Sequence, residues 1–407
     1  MKLAGSDAHL TYCTNIHPGE TWDEVKGNLA RHVLAVKRRV APDRPFGVGL
    51  RLSASAAATL RDEGERAALR AFLIQHGLYV FTINAFPYGA FHGQQVKASV
   101  YQPDWRDPAR RMYSESSADL LADLLADLPS AEQPLGGSIS TVPGGFRPDG
   151  DERGRHAMAR EMALTAVALF QMHEAGRAHV GLALEPEPAC AFETTRETAS
   201  FLQENVFAGV GRAEFCRATG VLPGAAETAL RSHVGVCLDA CHAAVEFEEP
   251  EEGVDLLQDA GINIFKLQVS AGLRITGPTP EKLRALARFA EGVYLHQVVI
   301  RRGTQLERIL DLPEALGLYA ANSAGAGDEW RVHFHVPLFR SALGLFESTS
   351  DFLQRLLARA AQRPFTTHLE VETYTFDVLP EEFRGEAVDA AVARELQWTL
   401  QALGQPS

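Results

Sequence analysis

Several things are scarce in this chain, and each scarcity excludes something. There are only 5 cysteines among 407 residues, namely Cys13, Cys190, Cys216, Cys237 and Cys241. An odd number scattered through apolar segments does not make a disulfide framework, and it fits a reducing compartment. The opening MKLAGSDAHL lacks the apolar stretch of a secretory signal, so none is expected. No apolar run approaches the roughly 20 residues that span a bilayer. Positive charge is in deficit: 39 basic against 52 acidic residues give a formal net charge of -13. A polyphosphate partner would be repelled overall, so nucleic acid is not expected. The G-x-S-x-G elbow, the phosphate-binding P-loop and a strand–GxGxxG–helix unit are also missing, which sets aside the common nucleotide and serine-hydrolase chemistries. A cytoplasmic location is the resulting expectation.

What remains is a chain that is 46% hydrophobic and alternates two kinds of segment. Short apolar or β-branched runs recur at His9–Asn15, Phe46–Ser53, Leu78–Phe86, Gly137–Val142, Val180–Glu185, Val234–Asp239, Ile264–Ser270 and Thr367–Tyr374. Helical signals separate most of them. Thr21-Trp-Asp-Glu24 and Thr194-Thr-Arg-Glu197 have capping-box spacing, and Thr279-Pro280 reads as a cap with proline at the first helical position. Helices are expected over Trp22–Val36, Ala157–His173 and Phe352–Ala361, and Gly292 should stop the one begun at Thr279. Eight strands alternating with helices predict a parallel (β/α)8 TIM barrel in a single domain over 1–407, with a doubly wound open sheet as the structural alternative. Three stretches, about 92–136, 189–233 and 295–340, are too long for plain connections and read as ordered insertions. The third carries two more strand-like runs, Tyr294–Ile300 and Arg331–Leu338.

Barrel chemistry sits at the C-terminal ends of the strands. Those ends carry Asn15 and His17 (first), Arg51 (second), Asn84 with His92 beyond it (third), Glu185 followed by Pro-Glu187-Pro (fifth), and Asp239 with His242 (sixth). Lys266, Gln268 and Ser270 share one face of the seventh strand; His368, Glu370 and Glu372 share one face of the eighth. Polar groups facing a barrel interior are unfavourable unless paired or coordinated. Oxygen and imidazole donors in this mixture suit a divalent metal such as Mn, Co, Zn or Mg. Each donor also has a plain structural role open to it. Glu185 could pair with a basic neighbour, Asp239 could cap the next helix, and His242 could simply be packed. Glu372 lies nearer the strand end than Glu370, which could be buried with a basic partner. His333 and His335, in RVHFHVPL, have ligand spacing.

The order of these donors resembles the xylose-isomerase-like barrel superfamily, which includes sugar isomerases, sugar epimerases and endonuclease IV-type repair enzymes. More narrowly, HLTYCTNIHPGETW, PFGVGLRLS, LYVFTINAFPYGAFH, VYQPDW, GSISTVPGG, LDACHAAVEFE, FKLQVSAGL, YLHQVV, RVHFHVPLF and HLEVETYTFDVLP make the chain look like the metabolite traffic protein EboE family. That resemblance implies a role in moving a metabolite precursor, alongside other proteins of the same system. It implies metal ligands at Glu185, Asp239, His242, His333, His335 and Glu372. One departure stands out: where many superfamily members have a metal-binding histidine on strand seven, this chain has Gln268. The expected activity is a metal-dependent isomerization or epimerization of a small polar metabolite. Glu185 and Glu372 would shuttle the proton, and His17, Arg51, Asn84, His92, Lys266 and Gln268 would hold the substrate. The rival readings are a catalytically degraded carrier using the same pocket and an endonuclease IV-like, multi-zinc phosphodiesterase.

Overall fold

In the computed structural model, residues 1–93, 95–126, 128, 134–147, 151–319, 325 and 327–405 are described. Parts of the first and third long stretches therefore lie outside the described residues. The eight expected strands are present as β1 (His9–Tyr12), β2 (Phe46–Arg51), β3 (Leu78–Asn84), β4 (Gly137–Thr141), β5 (Val180–Leu184), β6 (Val234–Asp239), β7 (Ile264–Val269) and, after an inserted sheet, β14 (His368–Val371). They pair in parallel in the order β1-β14-β7-β6-β5-β4-β3-β2. An isolated parallel bridge, Cys13 to Gly49, joins the two ends and closes the barrel. Side chains do much of the work at this seam. Thr11 Oγ1 donates to Gly47 O (2.7 Å) and accepts from Gly49 N (3.0 Å), while Thr14 Oγ1 accepts from Arg51 N at 2.9 Å. The backbone groups that strand pairing leaves free there are thus satisfied.

The strands read as nearly continuous apolar runs because both faces are covered, the outer one by helices. Both capping boxes form: Thr21 with Glu24 and Thr194 with Glu197 each satisfy two otherwise free N–H groups. The helix expected over Trp22–Val36 runs on to Val40 with a π-turn at Leu29–Val33. The one begun at Thr279 ends at Leu286, with a 3-10 turn to Phe289, before Gly292 is reached. The stretches 92–136 and 189–233 are less insertion than expected. The first contains the barrel helix Pro108–Ala126; the second contains the helices Thr195–Phe201, Val210–Thr219 and Pro223–His233.

The third stretch holds more than two strand-like runs. Between β7 and the helix Ser350–Gln362, six short strands form an antiparallel sheet: β8 (Leu273–Thr276), β9 (Val298–Arg302), β10 (Gln305–Ile309), β11 (Glu329–Val332), β12 (Ala342–Leu343) and β13 (Phe346–Ser348). Their order is β10-β9-β11-β8-β13-β12. Gly303, with φ +58°, makes the tight turn between β9 and β10. This sheet stands directly after β7, so it rises from the C-terminal end of the barrel strands. No helix among the described residues is long and apolar enough to cross a membrane.

Candidate active site

The barrel interior is graded from its middle to its C-terminal mouth. In its middle lies a buried ion pair, Lys266 Nζ to Glu370 Oε2 at 2.5 Å, with Lys266 also donating to Ser140 Oγ at 3.1 Å. Room for it comes from the opposite wall, where any Cβ on Gly49 would stand 1.8 Å from Glu370 Oε1. One residue pair further along the strands, Lys266 gives way to Gln268 and Glu370 to Glu372. Gln268 is level with Asp239 on one side and with Glu370 on the other.

At this level Glu185, Asp239 and Glu372 converge, each offering an oxygen within 4.8 Å of the others. All three are buried, at 3%, 1% and 5% exposure. Glu372 Oε1 accepts from Asn15 Nδ2 (2.7 Å) and Asn84 Nδ2 (3.1 Å). Asp239 Oδ1 accepts from Ser270 Oγ (2.8 Å) and from His242 N (2.9 Å), so Asp239 is also the cap of the helix Ala240–Val245. Glu185 Oε2, Asp239 Oδ2 and both amide atoms of Gln268 are buried with no hydrogen-bond partner among the described residues. Burial, then repulsion from Glu372 and Asp239, pushes Glu185 well above the usual carboxylate range. Burial, then Asp239 and Glu370, does the same to Glu372. The nearest buried ammonium, Lys266, is already engaged by Glu370 one layer deeper.

The second sheet brings in two of the imidazoles, and the helix Ala240–Val245 brings in His242. β11 ends at Val332, so His333 and His335 lie past the strand rather than on it; His333 N bonds Gln297 O (2.8 Å) and Val336 N bonds Ala271 O (2.9 Å). Three rings have one nitrogen held. His242 Nδ1 contacts Pro186 O at 3.0 Å, His335 Nδ1 contacts Glu372 O at 2.8 Å, and His333 Nδ1 contacts Gln297 Oε1 at 2.7 Å. A ring anchored at Nδ1 presents Nε2, the arrangement usual for metal-ligating histidines. His335 Nε2 is buried and has no hydrogen-bond partner among the described residues. Burial keeps His335 neutral, at about 4, and holds His333 well below its ordinary value. Asp239, His242 and His335 form one tight donor group, and Glu187, His242 and His333 another.

Two orphaned buried carboxylate oxygens, a buried unpartnered amide and the neutral imidazoles of His333 and His335 fit a divalent cation. Without one, three carboxylates would share a buried site with no cation of their own.

The remaining sequence-predicted residues are placed differently. Asn84 lines the pocket. Arg51 is engaged by Glu20 Oε2 (2.9 Å), Gly19 O (2.8 Å) and Gly89 O (2.7 Å), pinning two loops at the rim. His17 meets the Tyr12 hydroxyl (3.0 Å) and stacks on His32 at 4.3 Å. His92 packs against Phe91. Lys266 lies beneath the pocket, on Glu370.

Glu187 is a site residue for which no role was expected. It accepts from the Tyr101 hydroxyl at 2.8 Å and lines the pocket with Glu185. Its signal is Glu-Pro-Glu-Pro: the prolines hold the backbone extended, so alternate residues return to the same side. Asn15 and Gln297 likewise act by holding Glu372 and His333.

No family model matches the chain, and no curated protein matches it. Among solved structures the chain is similar to a xylose isomerase domain protein from Alicyclobacillus acidocaldarius, with 14% identity, 98% of this chain and 99% of that one covered, and a TM-score of 0.44. It is similar to D-psicose 3-epimerase from Clostridium cellulolyticum H10, at 13% identity, 97% of each chain and a TM-score of 0.44. It is also similar to the probable 3-DHS dehydratase AsbF from Bacillus anthracis, at 13% identity, 96% and 97% coverage and a TM-score of 0.45. At these identities and scores the likenesses carry no chemistry, and the reading of the site rests on this chain's own residues.

Proposed function

We propose that this protein is a metal-dependent isomerase or epimerase acting on a small metabolite with adjacent carbonyl and hydroxyl oxygens. The observation that carries this reading is the buried convergence of Glu185, Asp239 and Glu372, with unpartnered oxygens on Glu185 and Asp239. Glu185, Asp239 and Glu372, with Gln268 and His335 beside them, would hold the cation; His242 shares a donor group with Asp239 and His335, and His333 shares one with Glu187 and His242. When bound, the cation supplies polarization of the substrate carbonyl and so acidifies the neighbouring C–H.

The protein's own groups supply the proton transfer. Glu185 removes the proton from the carbon beside the carbonyl with the carboxylate oxygen that the cation does not take. Its raised basicity, a consequence of burial, brings it towards the range where a general base is effective. Glu372 returns a proton from the other side, and Asn15 and Asn84 fix its Oε1 so that the other oxygen faces the pocket. In hydroxyacetone incubated in D2O with the metal-loaded protein, deuterium should enter the hydroxymethyl carbon. Exchange should fall by about a hundredfold or more in Glu185→Gln and in Glu372→Gln. Unchanged exchange in both variants, with metal retained, would remove the proton shuttle. Retained metal without exchange in the unaltered protein would favour a carrier using the same pocket.

The adjacent donor group Glu187, His242 and His333 favours one further reading, a multi-cation phosphodiesterase. About three cations per chain would support it; about one supports the isomerase. We further propose, from the resemblance in sequence, that the protein belongs to the EboE family and works in the cytoplasm with other proteins of a metabolite traffic system.

A further inference from the structure

The pocket above the carboxylates has a polar floor and an apolar wall. It is open at the mouth, and its non-atom space, the solvent at that mouth included, is about 530 Å³. Its floor is Glu185, Glu187, Glu372, His242 and His333, with the two asparagines. Its wall is different in kind. Phe91, Tyr294 and Tyr374 form a three-ring group, with centroids 5.1 Å (Phe91–Tyr294), 5.3 Å (Phe91–Tyr374) and 5.2 Å (Tyr294–Tyr374) apart. These rings come from three separate places: the loop after β3, the approach to β9 and the segment after β14. Phe86, Val100 and Leu295 complete the wall.

Several polar groups near this wall are engaged with the protein itself, the Tyr374 hydroxyl among them, 3.5 Å from His333 Nε2. Tyr101 donates its hydroxyl to Glu187 and accepts from Gln297 Nε2, both at 2.8 Å. Lys97 Nζ is held by Asp311 Oδ2 at 2.6 Å. The amides of Asn15 and Asn84 are on Glu372. A polyol body lying along this wall would give up its hydrogen bonds to water and find few in return, which is unfavourable for every hydroxyl so buried. A ring or branched aliphatic body would bury its surface against four aromatic rings with no such penalty.

We propose that the substrate is amphiphilic: a hydroxy-carbonyl head on the carboxylate floor, joined directly to an apolar ring or chain lying between Phe86, Phe91, Tyr294 and Tyr374. This rests on the proposed function for the head group and narrows it for the body. The small polar metabolite expected from the strand-end residues is thereby polar at one end only.

The test uses the full-length, Mn2+-loaded protein and three probes that share a hydroxymethyl-ketone head. Hydroxyacetone carries a methyl body, L-erythrulose a polyol body and 2-hydroxyacetophenone a phenyl body. By calorimetry, the phenyl probe should bind at least about tenfold more tightly than either of the others. Phe91→Leu and Tyr294→Ala should each reduce that preference by about threefold or more, with bound Mn2+ unchanged. Erythrulose binding as tightly as the phenyl probe would overturn the inference. So would no probe binding to protein that retains its metal, or a preference unchanged in both variants. If the protein holds no metal yet keeps the phenyl preference, the cation reading fails while the apolar body stands.

Discussion

Lys266 and Glu370 pair below the carboxylates in the barrel interior, both wholly buried. Lys266, Gln268 and Ser270 do share one face of β7, as do Glu370 and Glu372 on the last strand and just past it. The alternation rule is silent on which of them reach the open end. Lys266 and Glu370 are two residues deeper than Gln268 and Glu372, and there they meet each other instead of a substrate. Because that pair is wholly buried, removing one partner strands the other. Lys266→Met should destabilize the protein by about 3–5 kcal/mol in denaturant unfolding. Adding Glu370→Gln should restore most of that loss. Equal stability of the single variant and the parent would mean that Glu370 is neutral without Lys266. Glu187 and Asn15 were visible in sequence as residues near strand ends. Their roles depend on partners, Tyr101 and Glu372, that lie 86 and 357 positions away in the chain.

At the scale of elements, the barrel strands were legible because each is a short apolar run covered on both faces and separated by capped helices. The second sheet was not. β12 and β13 have 2 and 3 residues, too few to show any period. The run at Tyr294–Ile300 is loop up to Gln297, with the strand beginning at Val298. That sheet matters because it delivers His333, His335 and Gln297 to the barrel mouth. It is tied to the last helix, Val388–Ala402, by Glu395, whose Oε1 accepts from Leu338 N (3.1 Å) and Thr373 Oγ1 (2.9 Å). Burial pushes Glu395 up to about 7 from an ordinary 4.5. A carboxyl whose folded-state value is raised contributes stability that is complete below about 4.5 and lost as pH rises through about 7. Glu395→Gln keeps an oxygen acceptor and cannot ionize. It should match the parent near pH 5 and exceed it by roughly 1–3 kcal/mol near pH 8, measured by thermal or denaturant unfolding. A variant less stable than the parent near pH 8 would show that the ionized carboxylate is the favoured form.

For the whole molecule, a closed parallel barrel positions carboxylates at one end, an inserted sheet adds His333 and His335, and three separate segments supply an aromatic wall over them. The acidic overall charge and the apolar wall point away from a nucleic-acid duplex and towards a small ligand. The proposed chemistry requires that the carboxylates are gathered to hold a cation rather than to bond one another. The direct measurement is elemental mass spectrometry on protein purified without added metal, beside an Asp239→Ala variant whose circular dichroism confirms that it is folded. The account predicts about one divalent cation per chain, lost in the variant. Folded protein that carries no metal and takes up none when Mn2+ or Zn2+ is supplied, or a variant that keeps its full complement, would contradict it.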